Sequence, residues 1–294
     1  MATHANTTPD HVHSIFEGDM AESYNSRTGG CNILLADHLI SLITPHLPPS
    51  TSPLRILDNA CGPAVLTTQC LKNHAIISHP ALHISAVDIS ADFISANRAL
   101  IASHPEYTSN SVTIDTEIMN GMDLKFPNDT FDISFTSLAL FAFPDPVKGT
   151  SELHRTLKPN GIAALTTWKN PGWLSLLHEV ERRLRPGQEL TRFPMLEIWS
   201  VPGKLAQTLR EGGFQDVEEG EVRAYALWES LEEAAEKMCE TLRMMVGKGW
   251  SEGEKEKMAE GFKEVMREGW GELIRSKGGR VGFEMVAWTG VGRK

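Results

Sequence analysis

The chain has 294 residues, of which 41% are hydrophobic, enough apolar material for one large core or two modest ones. Its formal net charge of −10 argues against nucleic-acid binding through a broad basic face, and no stretch approaches the ~20 continuous apolar residues of a membrane span. The four cysteines, Cys31, Cys61, Cys70 and Cys239, form no CxxC pair and read as reduced thiols. With a polar N-terminus lacking any secretory pattern, the expectation is a soluble cytoplasmic protein acting on a small molecule, as a monomer or homodimer.

From the N-terminus, "HSIFEGDMAESYNSRTGG" places Phe16, Met20 and Tyr24 four residues apart, on one helical face. Residues 1–46 read as a helical lid, and "LPPSTSP" (Leu47 to Pro53) as the loop that separates it from the remainder, 47–294. Strands are predicted at Arg55–Asp58, His83–Asp88, Val112–Ile118, Phe131–Ser137 and Ile162–Thr167. Helices are predicted between them, at Ala64–Asn73, Ala91–Ser103 and Pro146–Leu157. This alternation is the pattern of a parallel sheet with crossover helices. Beyond residue 168 the pattern gives a helix from "NPGWLSLLHEVERRLRP", another over Val201–Arg210, and a strand in "FQDVEEGEVRAYAL". Two amphipathic helices follow, Leu231–Val246 and Glu252–Glu272, and then a last strand in "GRVGFEMVAWTGV". Segments 171–210 and 229–275 read as cap insertions, which with residues 10–46 would cover the carboxyl edge of the sheet.

Ligands of open α/β sheets settle outside the carboxyl ends of the strands, where "LDNACGPA" lies. A dinucleotide fingerprint, G-x-G-x-x-G, would put glycine at Ala60, Gly62 and Val65, and one of three is a poor match. Asp58 at the strand end would repel a pyrophosphate but suits an ammonium, while backbone N–H groups at the following helix start favour a carboxylate. S-adenosylmethionine carries both groups. Asp88 closes the second strand, where a carboxylate can accept both hydroxyls of a ribose. Asn120 follows the third strand and can accept the adenine amino group. "SLALFAFPDP" leaves the fourth strand, with Phe141 and Phe143 serving equally well as pocket wall or as core.

The order "LDNACGPA", "AVDIS", "MNGMDLKFPNDTFD", "ALFAFPDP", "LKPNGIAALTTW" resembles the class I S-adenosylmethionine-dependent methyltransferases over roughly residues 10 to 290. Within them it is most similar to the fungal small-molecule group of secondary metabolism that includes the gliotoxin thiol methyltransferase. The resemblance implies a Rossmann-like α/β fold with a seven-stranded mixed sheet, its last strand antiparallel. It also implies that Asp58, Asn59, Ala60, Cys61 and Gly62 line the methionine end of the cofactor. Asp88 would hold the ribose, Ile89 would pack on adenine, and Asn120, Gly121 and Met122 would read its edge. Ser137 and Leu138 would border the sulfonium. Tyr24 and Arg27 resemble the lid segment of the family and would reach the cofactor carboxylate. The commoner turn of the family has Gly where Ala60 and Ala64 stand; alanine is tolerated there if φ stays negative.

Trp168 and Trp173 in "TTWKNPGW" flank the carboxyl end of the sheet and can shape a flat substrate, with Phe193, Met195 and Trp199 as further pocket candidates from the cap. His178, on the helix after Trp173, is the nearest candidate general base, although a lone histidine on a helix is more often structural. No His/Asp/Glu cluster has metal spacing, and His11 and His13 read as solvated. The expected reaction is methyl transfer to an O, N or S atom of a small molecule. Two alternatives use the same fold: a cyclisation or rearrangement with S-adenosylmethionine as a non-reacting cofactor, and a non-catalytic interaction protein.

Overall fold

Aliphatic runs punctuated by Pro, Gly and Asn set the strands. In the computed structural model, β1 (Leu54–Asn59) is buried everywhere except Arg55, and Leu54, Ile56 and Leu57 are wholly inaccessible. Burying each such side chain contributes about 1.5–3 kcal/mol. The structure describes residues 20–109, 111–246, 249–276 and 278–294, with side chains from Tyr24 onward. The readings of His11, His13, Phe16 and the Met20 side chain therefore lie outside the described residues.

The remaining strands are β2 (Leu82–Asp88), β3 (Val112–Ile118), β4 (Phe131–Ser137), β5 (Leu157–Pro171), β6 (Gln215–Trp228), the two-residue β7 (Ile274–Arg275) and β8 (Val281–Arg293). They form one sheet in the order β3-β2-β1-β4-β5-β8-β6, with β7 pairing on β8. The pairs from β3 to β5 are parallel, and β8 runs antiparallel to both of its main neighbours. The mixed α/β sheet with its antiparallel last strand is as expected; β7 is an addition that two residues could not signal.

The helices are α1 (Met20–Arg27), α2 (Cys31–Ile43), α3 (Val65–Cys70), α4 (His74–Ile77), α5 (Ala91–Ser103), α6 (Pro146–Thr156), α7 (Trp173–Leu184), α8 (Pro194–Trp199), α9 (Lys204–Glu211), α10 (Leu231–Met245) and α11 (Glu252–Arg267). The helix expected over Ala64–Asn73 ends at Cys70, and a separate helix begins at His74, where the Asn73 side chain accepts from the amides of Ala75 and Ile76. Two segments assigned to the lid belong to the sheet instead. Helix α2 packs on α3, β5 and β6, and α9 packs on α6, β6 and β8, burying Leu205 and Leu209.

A separate core lies over the carboxyl edge. There α11 packs on both α7 and α10, and Leu176, Leu177, Val180, Met238, Leu242, Met258, Phe262 and Phe283 share one cluster. An ionic lock fastens it: Glu181 and Arg185, each with 2% side-chain exposure, face one another, and Glu181 accepts from the Thr191 amide at 3.0 Å. Arg185 also donates to Glu254 at 3.2 Å and to the Gly249 carbonyl at 2.7 Å. Buried charges persist only when satisfied in this way.

Candidate functional site

Four parallel strands end side by side, and the chain after each contributes to one cavity of about 380 Å³. Its walls come from 58–66 after β1, 88–93 after β2, 119–122 after β3 and 137–144 after β4, with Tyr24 closing it from α1. This is the crevice in which α/β sheets bind ligands.

The turn after β1 is tightly folded. Ala60, Gly62 and Ala64 have φ of 56°, 49° and 54°. The expectation that both alanines keep negative φ is therefore wrong: each sits in the left-handed region, at a cost of order 1–2 kcal/mol. The turn also spends its donors internally. The Cys61 amide bonds to the Val87 carbonyl at 2.9 Å, Gly62 to Asp88 Oδ2 at 2.8 Å, and Ala64 to the Cys61 carbonyl at 3.0 Å. It thus offers an incoming carboxylate fewer N–H groups than its sequence implied.

Two carboxylates dominate the electrostatics. Asp58, 1% exposed, accepts from the Thr67 amide at 3.1 Å and from its hydroxyl at 2.7 Å, both on Oδ2. Burial pushes its carboxyl up to about 6 against the pull of those two bonds, with Asp88 adding to the rise. Asp88, 8% exposed, accepts from Gly62 N on one oxygen and from Ser90 N, at 2.9 Å, on the other. A carboxylate oxygen can accept two hydrogen bonds, so a vicinal diol is a ligand within the chemistry of such a group. Beside it Ile89 lines the cavity while 51% exposed, an apolar surface on that wall. Asn120 Oδ1 is engaged with Met122 N at 2.9 Å, which shapes the loop lining the same cavity. The size, the acidic pair and the apolar shelf fit a cationic adenosyl ligand.

A second cavity of about 150 Å³ opens beneath the cap. Trp168, Trp173, Phe193, Met195, Leu196, Trp228, Met238, Leu242, Met245, Phe283 and Met285 make it chiefly aromatic and thioether in character. Tyr24, Leu138 and Phe141 line both cavities, so the two spaces share a boundary at the end of β4. Leu138 is held there with φ of 52°, its amide donating to the Thr166 carbonyl at 3.0 Å and to its hydroxyl at 3.1 Å. Burial raises the Tyr24 phenol and the Cys31 thiol to about 12 each.

Several expected placements need correction. His178 lines neither cavity: its Nε2 lies 2.9 Å from the Thr191 carbonyl, which binds α7 to the following loop. Trp199, 3% exposed, belongs to the core against β5 and α9. Phe143 faces the larger cavity and fills the space beside Gly121 and Gly149. Asn59 lies behind the wall, fully buried, with its amide 3.5 Å from the Gly121 carbonyl. Arg27 lines the cap cavity instead of the larger one, its Nε 3.2 Å from Glu240 on α10. Missing from the sequence reading were Met238, Leu242 and Met245; their i, i+4, i+7 spacing marked a buried face without saying what it faces.

Residues 57–165 match the family model described as a methyltransferase domain. Over 211 residues the chain is 25% identical to a methyltransferase of Aspergillus fumigatus, tpcH, covering 69% of this chain and 72% of that one. It is 24% identical over 200 residues to the methyltransferase ucsB of an Acremonium species, covering 67% and 68%. The fold is shared with the YcgJ protein of Bacillus subtilis, with a TM-score of 0.51 at 14% identity over 88% of this chain and 98% of that one. The acidic, strand-end cavity and these matches agree: the chain carries a methyltransferase domain over residues 57–165 and is an S-adenosylmethionine-dependent enzyme.

Proposed function

We propose that the protein methylates an O, N or S atom of a small, largely apolar aromatic molecule held in the cap cavity, in fungal secondary metabolism. We further propose that α1 (Met20–Arg27) acts as a lid over a catalytic unit made of α2 and residues 47–294, in the cytoplasm. The boundary shared by the two cavities at Tyr24, Leu138 and Phe141 carries this reading. A donor in the larger space and an acceptor in the smaller one meet only there.

When bound, S-adenosylmethionine supplies a methyl group already activated by its sulfonium. The protein's own residues have to align the acceptor and exclude water. Asp58 and Asp88 give the larger cavity a negative field matched to a cationic donor. The aromatic and Met side chains of the cap cavity desolvate the acceptor. Among the described residues lining that cavity there is no imidazole and no carboxylate, and both Tyr24 and Cys31 hold their protons far above neutrality. This favours acceptors that present a lone pair unaided, such as thiols, acidic phenols and amines, over aliphatic alcohols. The cavity volume is close to that of an engineered apolar cavity of about 150 Å³ that holds benzene, so a single ring fits.

The test is a methylation panel of thiophenol, 4-nitrophenol, aniline and benzyl alcohol, scored by S-adenosylhomocysteine release. Turnover of a thiol, phenol or amine is expected, with a pH profile that follows the acceptor's own ionisation. Benzyl alcohol as the best substrate, with a rate that titrates with an enzyme group, would contradict the base-free reading. Cofactor binding with no methyl product from any acceptor would favour a rearrangement enzyme.

A further inference from the structure

The cap cavity is not evenly apolar. Its polar side chains, Tyr24, Arg27, Thr28 and Thr241, all come from the wall where α1 meets α10, while the opposite walls are aromatic and thioether. Arg27 stands on that wall with 9% side-chain exposure, and among the described residues lining the cavity it is the only cation. Its carboxylate partner, Glu240, lies 3.2 Å away and is itself 39% exposed. Glu240 also has a second cation, Lys237, at 3.2 Å one turn earlier on α10. A nearly buried guanidinium is thus paired with a solvent-facing carboxylate that does not depend on it for compensation.

We propose that Arg27 is the specificity-determining residue of the substrate cavity, selecting an aromatic molecule that carries an anionic group, and that Glu240 occupies the guanidinium until that anion replaces it. This rests on the cap cavity being the substrate site. Guanidinium binds a carboxylate through a planar, two-pronged geometry, so the anion can take one edge while Glu240 withdraws toward Lys237 and solvent. The exchange leaves no charge buried and unpaired, the condition that makes such a swap feasible in an apolar cavity. The apolar walls then hold the ring, and the polar wall fixes its orientation beside Tyr24, at the boundary with the donor.

The probes are 4-fluorobenzoate and its neutral counterpart 4-fluorobenzamide, titrated by fluorine NMR into protein saturated with S-adenosylhomocysteine. Wild type is expected to bind the benzoate about tenfold or more tightly than the amide. Arg27→Gln is expected to remove that preference while still binding the amide and S-adenosylhomocysteine. Glu240→Gln, which keeps Arg27 in place, is expected to raise benzoate affinity several-fold by removing its competitor. Equal affinities in wild type, a preference that survives Arg27→Gln, or weaker benzoate binding in Glu240→Gln would each overturn the assignment of Arg27. Failure of wild type to bind either probe while binding S-adenosylhomocysteine would instead overturn the cap cavity as the substrate site, and this inference with it.

Discussion

Asp58 is the residue whose environment is most at odds with its charge. The folded protein holds its proton up to about pH 6, whereas an unfolded chain loses it near 3.8. Between those values the folded form binds more protons. The stability this contributes is complete below pH 3.8 and is lost as pH rises through 6, a change of about 3 kcal/mol. Urea unfolding from pH 4.5 to 7.5 should show wild type losing stability relative to Asp58→Asn across that window; parallel curves would contradict it. An ammonium placed against Asp58 reverses the balance, so cofactor binding near pH 6 should release a proton, seen as a buffer-dependent heat of binding. At this scale the sequence was readable where chemistry is local. Asp58 and Asp88 end strands, and a strand end in this fold is a site. His178 and Trp199 were misread because their partners, the Thr191 carbonyl and the core over β5, are set by packing that no nearby residue announces.

Among elements, α1 matters most, since it supplies Tyr24 to both cavities and Arg27 to one. It is anchored on β6: the Leu227 amide bonds to the Gly29 carbonyl at 3.0 Å, and the Trp228 indole donates to the Ser26 carbonyl at 2.7 Å. Gly29 has φ of +57°, and a Cβ there would lie 2.5 Å from the Leu227 nitrogen. Gly29→Ala should therefore lift α1 from the sheet. The expected result is a loss of cofactor affinity of tenfold or more with the far-ultraviolet circular dichroism unchanged; an unaltered affinity would show that α1 does not set the cavity wall. Strands and long helices were legible because alternation and 3.6-residue periodicity are local properties. The places of α2 and α9 were not. Both are amphipathic segments that serve equally as lid or as sheet cover, and only the partner face, on β5 and β6 or on α6 and β8, decides between them.

For the whole molecule, the sheet assembles an acidic crevice at its carboxyl edge and the cap sets an aromatic chamber against it. Net charge of −10 suits a cationic donor. The chamber was the least legible part, because its walls come from α1, β5, α7, α8, β6, α10 and β8, elements that run from Tyr24 to Met285. The crevice, built from consecutive strand ends, was visible from the first turn. The most direct test of the account is calorimetric titration of S-adenosylmethionine into wild type and Asp88→Ala, with circular dichroism as the check on folding. Micromolar binding to wild type, about −8 kcal/mol, is expected, with its loss in the variant. A folded wild type that binds nothing, or an Asp88→Ala protein that binds as tightly, would contradict it.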